Sequence, residues 1–330
     1  MTTLSVLDLA TVTAETGTTE ALLGATALAQ AAEAAGFNRF WVAEHHGMAA
    51  VASSAPAVLL AHIAANTSKI RLGAGGVMLP NHAPLVIAEQ FGTLEALHRG
   101  RIDLGLGRAP GTDPLTARAL GRGNAEAFPD EVVELLSYFA GVAPVRAIPG
   151  AGDHPEVWLL GSSTYSAQLA AYLGLPFSFA YHFAPDLVEQ ALSIYRKQFR
   201  PSTYLAAPYS MVAVTTLCAE TTEEADYLAA PLRLSTLLLR TGRPAPMSSP
   251  EVVAERGFSS DEQELLRHAT AAHIVGDPGH VAAELSELQV RLQVNELMLS
   301  TRAFALADRI RSLELTALAM GLHPGVFSRA

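Results

Sequence analysis

Residues 69–107 read KIRLGAGGVMLPNHAPLVIAEQFGTLEALHRGRIDLGLG, and their reading decides the fold. KIRLGAGGVM is a short apolar run of strand length. Residues 84–98 then place Ile87, Phe91 and Leu94 on one helical face, with Pro84 in the first turn, where its missing N–H costs nothing. RIDLGLG is a second strand. Two apolar runs joined by an amphipathic helix form one strand–helix–strand unit, and such a connection makes the strands parallel.

The alternation extends in both directions. Upstream, LSVLDLA (residues 4–10) reads as a strand. Residues 19–35 repeat Ala21, Ala25, Leu28, Ala32 and Ala35 at helical spacing, and Gly36 closes that helix. FNRFWVA is the next strand and APAVLLAHIAANTS the next helix. Downstream, EVWLLG, LPFSFAYHF, YSMVAVTTLCA and NELMLST are strands. STYSAQLAAYLG, APDLVEQALSIYRKQF, the stretch from about Thr222 to Leu239, and RAFALADRIRSLELTALAMG are helices. Eight such units without a break in composition predict one α/β domain over 1–330, a closed (β/α)8 barrel. A polar, glycine-rich insertion falls near 109–127. Residues 241–264, rich in Pro, Ser and Glu, read as a long mobile loop and a candidate lid.

The totals exclude several functions. Half of the 330 residues are apolar and the formal net charge is −10, which disfavours nucleic acid and anionic membrane surfaces as partners. The single cysteine, Cys218, permits no internal disulfide, and the N-terminal stretch lacks a basic leader pattern, so the expected location is the cytoplasm. The longest apolar stretch, APAVLLAHIAA, is interrupted by His62 and is too short to span a bilayer.

Barrels of this kind carry chemistry at the C-terminal ends of their strands. The candidates are Asp8, Glu44 with His45, Gly75 to Pro80, Gly107 with Arg108, Gly161 to Ser163, and Tyr181 with His182. In WVAEHHGMA (41–49) two histidines adjoin. Strand neighbours point to opposite sides, and no pair of histidines one helical turn apart exists, so a metal site is disfavoured. One histidine can look into the mouth and move protons near neutral pH, or the pair is structural. The glycines of GAGGVM fit either a flat ring lying on the strand end or a β-bulge. GLGRAPG fails the dinucleotide spacing, so Arg108 is either a phosphate clamp or a rim ion pair. In VWLLGSSTYSAQLAAYLG a strand enters a Gly-Ser-Ser turn and a helix. That is an anion site with Ser162, Ser163 and Ser166 as donors, or a turn in which Ser162 or Ser163 caps the helix. Taken together with Arg108 and the glycine-rich strand, these features point to a planar cofactor bearing a phosphate. One short anion turn and no adenine-binding unit favour FMN over FAD.

The segments AEHH, GGVMLPNHAPLVIAEQFGTLEAL, GRIDLGLGRAPG, GSSTYSAQLAAYLGLP and ADRIRSLELTA resemble, in this order and over essentially the whole chain, the bacterial-luciferase-like flavin monooxygenases, nearest to the non-luminescent paralogues. The resemblance implies reduced FMN at the C-terminal mouth and insertion of one oxygen atom from O2 into a small organic substrate through a flavin peroxide. It implies His45 as the catalytic proton-transfer group and a non-proline cis peptide at Gly75–Gly76. Arg108, Ser162, Ser163 and Ser166 match the family's phosphate positions, and Val77 and Met78 its isoalloxazine stretch. Asp8, Gly75, Gly76 and Tyr181 complete the expected cofactor set. Gly107 stands where luciferases carry a reactive cysteine, Ser162 where they carry a glutamate, and Tyr181 where they carry a tryptophan, so light emission and long-chain aldehydes are not implied. A homodimer through the apolar early helices (54–66 and 84–98) and a separate flavin reductase are expected partners. Two alternatives stay open: a deazaflavin-dependent hydride-transfer enzyme, and a flavin-binding protein without turnover.

Overall fold

The computed structural model describes residues 2–121 and 123–323. In chain order the elements are β1 (Thr3–Asp8), α1 (Thr18–Ala35), β2 (Arg39–Val42), α2 (Pro56–Ala65), β3 (Arg71–Met78), α3 (Pro84–Leu97), β4 (Ile102–Gly107), α4 (Pro114–Ala119) and α5 (Phe128–Ala140). There follow β5 (Glu156–Gly161), α6 (Thr164–Leu173), β6 (Phe177–Ala180), α7 (Val188–Gln198), β7 (Ser210–Cys218), α8 (Thr222–Arg240), α9 (Pro250–Arg256) and α10 (Ser260–Ala269). The chain closes with β8 (Ile274–Gly276), α11 (Pro278–Leu292), β9 (Glu296–Ser300) and α12 (Leu306–Ala319). The strand order β6-β5-β4-β3-β2-β1-β9-β7 closes through a β6–β7 pairing. Every pairing is parallel. The expected (β/α)8 barrel is therefore present, its eight strands being those read from the sequence. β8 lies outside the ring and pairs only with β7. No helix among the described residues is long and apolar enough to cross a membrane.

Strand alternation sorts the core into two layers. Outward residues such as Val6, Phe40, Val42, Leu104, Leu159 and Phe177 pack against the helices in one large core. Inward residues fill the barrel, with Trp41, Trp158, Met211 and Met298 at its centre. Trp41 and Trp158 meet edge to face at 5.4 Å, and Trp158 meets Tyr209 at 5.6 Å. A Cβ on Gly73 would lie 2.5 Å from the Trp41 indole nitrogen, and one on Gly75 would lie 2.7 Å from the same ring. The glycines of β3 therefore admit the barrel's own tryptophan. The peptide Gly75–Gly76 is cis, as the resemblance implied, and the β3–β4 register shifts between Gly75 and Val77.

Residues 241–264 are not without structure. They contain α9 and the start of α10, which bury Val253 and Leu266 against Leu234 and Leu237 of α8. Met247 is fully buried and bonds through its backbone to Val12 and Ala14. The Pro, Ser and Glu content that suggested a loop consists of helix-start signals. Ser249 caps α9 ahead of Pro250, and Ser259 with Glu262 forms a capping box on α10. The insertion near 109–127 holds the short helix α4, with Arg122 outside the described residues. Helices α5 and α11 and strand β8 went unread in the sequence.

Candidate active site at the barrel mouth

Glu44, just past β2, organises the mouth. Its side chain is wholly buried. It accepts hydrogen bonds from the Met78 N–H at 3.1 Å on Oε2, and on Oε1 from His82 Nε2 at 2.9 Å, His46 Nε2 at 3.0 Å and Asn81 Nδ2 at 3.2 Å. Burial pushes its pKa up, but the bond and charge of His82, with the bonds from His46 and Met78, outweigh it and hold the carboxyl below its usual range. One carboxylate thereby ties the end of β2 to the end of β3 and the turn after it.

The adjacent histidines separate at this point. His46 folds back onto Glu44, while His45 Nδ1 lies 2.9 Å from the carbonyl oxygen of Gly111. A carbonyl only accepts, so Nδ1 donates, and Nε2 is the basic nitrogen of the neutral ring. Burial is the main influence that lowers the His45 pKa. The Gly111 bond opposes it and the charge of Arg302 adds to it. Met78 leans over the glycines beside this histidine: a Cβ on Gly107 would meet its Sδ at 2.8 Å, and one on Gly111 its Cγ at 3.1 Å.

The expected anion end lies at β4 and β5. Ser163 has the extended backbone of an N-cap on α6, yet no side chain caps that helix. Capping by Ser162 or Ser163 is therefore not made, and the first-turn N–H groups remain for another acceptor. The Arg108 guanidinium stacks 4.2 Å from the centroid of Tyr165 in that first turn, so the chain end of β4 is brought to the start of α6. Ser162 is exposed at the turn. Ser166 is buried and packs under it, where a Cβ on Gly161 would meet its Oγ at 2.5 Å.

Three expected cofactor residues point elsewhere: Asp8 by strand alternation, Val77 because the register shift after Gly75 reverses the alternation that turns Gly73 and Gly75 towards Trp41, and Tyr181 in the turn after β6. The Asp8 carboxylate points with Val6 towards the helical shell, where Arg309 of α12 meets it at 3.2 Å and the Ala10 N–H at 3.0 Å. The Val77 side chain joins the outer core. The Tyr181 hydroxyl lies 3.2 Å from Arg291 of α11, in a surface cleft with Glu284 and Glu287. The next residue, His182, takes the inward place. Its Nδ1 donates to the Ala213 carbonyl at 2.9 Å, which leaves Nε2 as the basic nitrogen, and burial pushes its pKa down to about 4. Arg302 lies two residues past β9, where its charge reaches His45 and His182, and the next residue, Ala303, packs with Leu217 and Ala229. Sequence reading missed Arg302, and it weighed His182 only beside Tyr181.

The C-terminal mouth of this parallel eight-stranded barrel thus carries His45 and a helix start that no side chain caps. The family model described as luciferase-like monooxygenase matches residues 2–295, and the chain belongs to that family, a flavin-dependent class of oxygenases. It is 48% identical to the YvbT protein of Bacillus subtilis over 96% of both chains. It is 45% identical to a luciferase-like monooxygenase of Escherichia coli K12, over 94% of this chain and 95% of that one. It is also 35% identical to the N-acetyl-S-alkylcysteine monooxygenase of Bacillus subtilis, over 90% of this chain and 92% of that one. Among solved structures, apo-MsnO8 superposes with a TM-score of 0.89 at 33% identity, covering 98% of both chains. The oxygenating constituent of 3,6-diketocamphane monooxygenase in complex with FMN (17% identity, TM-score 0.75) and an F420-dependent secondary alcohol dehydrogenase (14%, 0.71) share the fold, each covering 97% of this chain and 98% and 99% of their own.

Proposed function

We propose that the protein is an FMN-dependent monooxygenase that places one oxygen atom of O2 on a small organic substrate. The observation that carries this reading is the juxtaposition of Arg108 with the uncapped start of α6, at the mouth that also holds His45. The residues fit the cofactor: the α6 N–H groups, Ser162, Ser163 and Arg108 would hold a phosphate dianion, and the cis-glycine end of β3 with Met78 would border the ring. Bound reduced FMN would supply the electrons that activate O2. The chain's own part is to position, to exclude water and to control a proton. The Trp41–Trp158 layer closes the floor of the mouth, and Glu44 fixes the turns around it. His45, with Nδ1 held by Gly111, would hold or move a proton at Nε2.

The N-acetyl-S-alkylcysteine relative suggests an oxidisable carbon or sulfur on a small polar molecule as the substrate class. The chain lacks a dinucleotide fingerprint, which supports delivery of reduced flavin by a separate reductase. The segment 241–264 would serve as the lid by moving α9 and α10 as a unit. Val58 on α2 and Val86 and Leu97 on α3 are exposed, and this apolar face supports a homodimer, to be checked by light scattering. The F420-dependent neighbour keeps a deazaflavin enzyme as the rival. Reconstitution with FMN, FAD and F420, mass spectrometry of the retained cofactor, and oxygen consumption with the reduced forms decide between them. Retention of FMN with oxygen uptake is expected. Retention of F420 without oxygen uptake would overturn the reading.

A further inference from the structure

Arg302 is a charge at the mouth that the cofactor reading does not use. It lies two residues past the end of β9, where its charge reaches His45 and His182. Its Nε is buried without a hydrogen-bond partner. Asp8, whose charge reaches it, is held by Arg309 at 3.2 Å. Among the described residues no carboxylate lies within ion-pair distance of Arg302, whereas the buried Arg39 at the other end of the barrel touches three. A desolvated guanidinium with an idle donor is costly, and an anion placed on it recovers that cost.

Its position excludes a second clamp on the same phosphate. β9 lies four places round the eight-strand ring from β4, so Arg302 faces Arg108 from the far side of the mouth. Burial weighs against the charged form of Arg302, the Asp8 charge favours it and the Arg309 charge opposes it. Burial, with the Arg302 charge as a further influence, depresses the pKa of His45 and of His182. His273, before β8, is depressed in the same way, with His182, Arg233 and Arg302 all contributing. The Glu44 carboxylate of the mouth is engaged by His46, His82, Asn81 and the Met78 N–H, and Asp8 by Arg309, so the side opposite Arg108 offers Arg302 and the Nε2 of His182 with no carboxylate bonded to either among the described residues.

We propose that Arg302 is the substrate-recognition residue of the mouth and grips a carboxylate on the substrate, opposite the flavin-phosphate end. The planar fork of arginine matches a carboxylate with two parallel hydrogen bonds, and His182 stands beside it as a neutral partner. The substrate class is then a small organic acid whose oxidisable atom lies away from its carboxylate. This deepens the monooxygenase reading and rests on it only for the word substrate.

Two experiments test it. The first uses flavin-free protein and acetate, with acetamide and chloride as controls. Histidine side-chain NMR should show acetate raising the pKa of His45 and His182 by neutralising Arg302, and neither control should do so. In Arg302→Gln both values should already be raised and acetate should have no further effect. An absent acetate response in the native protein, or an unchanged one in the variant, overturns the proposal. The second uses FMN-loaded protein with N-acetyl-S-benzyl-L-cysteine and its amide. The acid should bind about tenfold or more tightly than the amide, a margin of one charge-assisted contact, and Arg302→Gln should erase that margin with FMN affinity unchanged. Should Arg302→Gln not fold, Arg302→Lys replaces it and should keep the acetate response while reducing the margin. A variant that loses FMN instead of the margin would assign Arg302 to the flavin ring and overturn the proposal. Failure to bind FMN at all would sink the monooxygenase reading and leave the acetate titration to decide on Arg302.

Discussion

The two ends of this barrel use the same residue types to opposite effect. At the bottom, where the strands begin, Arg39 is buried and meets Asp103 at 2.9 Å, Glu156 at 3.1 Å and Glu296 at 3.1 Å. Arg71 pairs with Asp103 and Glu156, the Trp41 indole N–H donates to Asp103 at 2.8 Å, and the Tyr209 hydroxyl donates to Glu296 at 2.9 Å. Burial works against the charged forms there. The neighbouring charges nevertheless hold Arg39 raised and Asp103 lowered, so both stay ionised. At the top, Arg302 has no such partner, and His182 and His273 are kept neutral. The lower set, an ionic plug, is answered by its own carboxylates, though one Arg39 nitrogen stays unpartnered; the upper guanidinium has no carboxylate within ion-pair distance among the described residues. In barrels of this architecture that is the division between the stability face and the active face.

The largest expected effect lies at the plug. Arg39→Ala leaves Asp103 and Glu296 buried beside an empty place, and breaking a buried pair on one side costs about 3–5 kcal/mol. Urea denaturation should show that loss, while the protein that remains folded keeps its flavin affinity. A loss below 1 kcal/mol would mean that water enters the bottom of the barrel and that the contrast between the ends is overstated.

His45→Ala should do the reverse. It should leave the urea midpoint nearly unchanged and lower product formation by roughly two to four powers of ten, the usual share of acid–base catalysis. Hydrogen peroxide released per flavin oxidised should rise. His46→Ala, which removes a donor from Glu44, should reduce stability more than coupling. If coupled turnover depends on His46 and not on His45, the roles drawn from their hydrogen bonds are exchanged. Arg108→Ala should weaken FMN by about 1.5–3 kcal/mol, the worth of a charge-assisted hydrogen bond, measured by fluorescence titration. An unchanged dissociation constant would return Arg108 to a rim contact with Tyr165.

The contrast between the ends also explains what could be read in advance. The eight barrel strands were legible because each is an apolar run bounded by a helical period, and parallel strands are buried on both faces. The turn at Gly161 to Ser163 read equally as an anion site or as a serine-capped helix start, and the structure removes the cap. Side-chain direction was read less well. Asp8, Val77 and Tyr181 sit at or just past strand ends and face the shell, Val77 through the register shift of β3, while His182 and Arg302 each lie two residues past a strand, β6 and β9. The glycines of β3 suggested a ligand. The packing requirement of Gly73 and Gly75 comes from Trp41 on the neighbouring strand β2, and that of Gly76 from Leu160 and Gly105, which no local pattern reveals. Helices α9 and α10 were hidden because their caps share their composition with loops.

The smallest expected effect is a pH dependence, and it tests whether the mouth is held neutral. His182 and His273 have pKa values pushed down to about 4, chiefly by burial, with Arg302 contributing to both and His182 and Arg233 to the second. In the unfolded chain a histidine takes its proton near pH 6.5. Between those values only the unfolded chain binds the proton, so acid favours unfolding. The contribution is fully present above pH 6.5 and is lost as the pH falls towards 4. At pH 5.5 each histidine should cost about 1.4 kcal/mol relative to neutral pH. Glu44 and Asp103 also have lowered pKa values, but their contributions are lost only at more acid pH, below their ordinary carboxylate values. Glu95, Glu156 and Asp308, whose pKa values burial raises, favour the folded chain as acid is added, so a fall in stability from pH 6.5 to 5.5 reports on histidines. Urea midpoints across it should fall for the native protein, and a His182→Gln, His273→Gln double variant should flatten most of that slope. Arg302→Gln should flatten it in part, since removing the charge lets both rings accept protons in the folded state. An unaltered slope in the double variant would place the acid sensitivity elsewhere and remove the argument that the mouth keeps its bases neutral for a ligand.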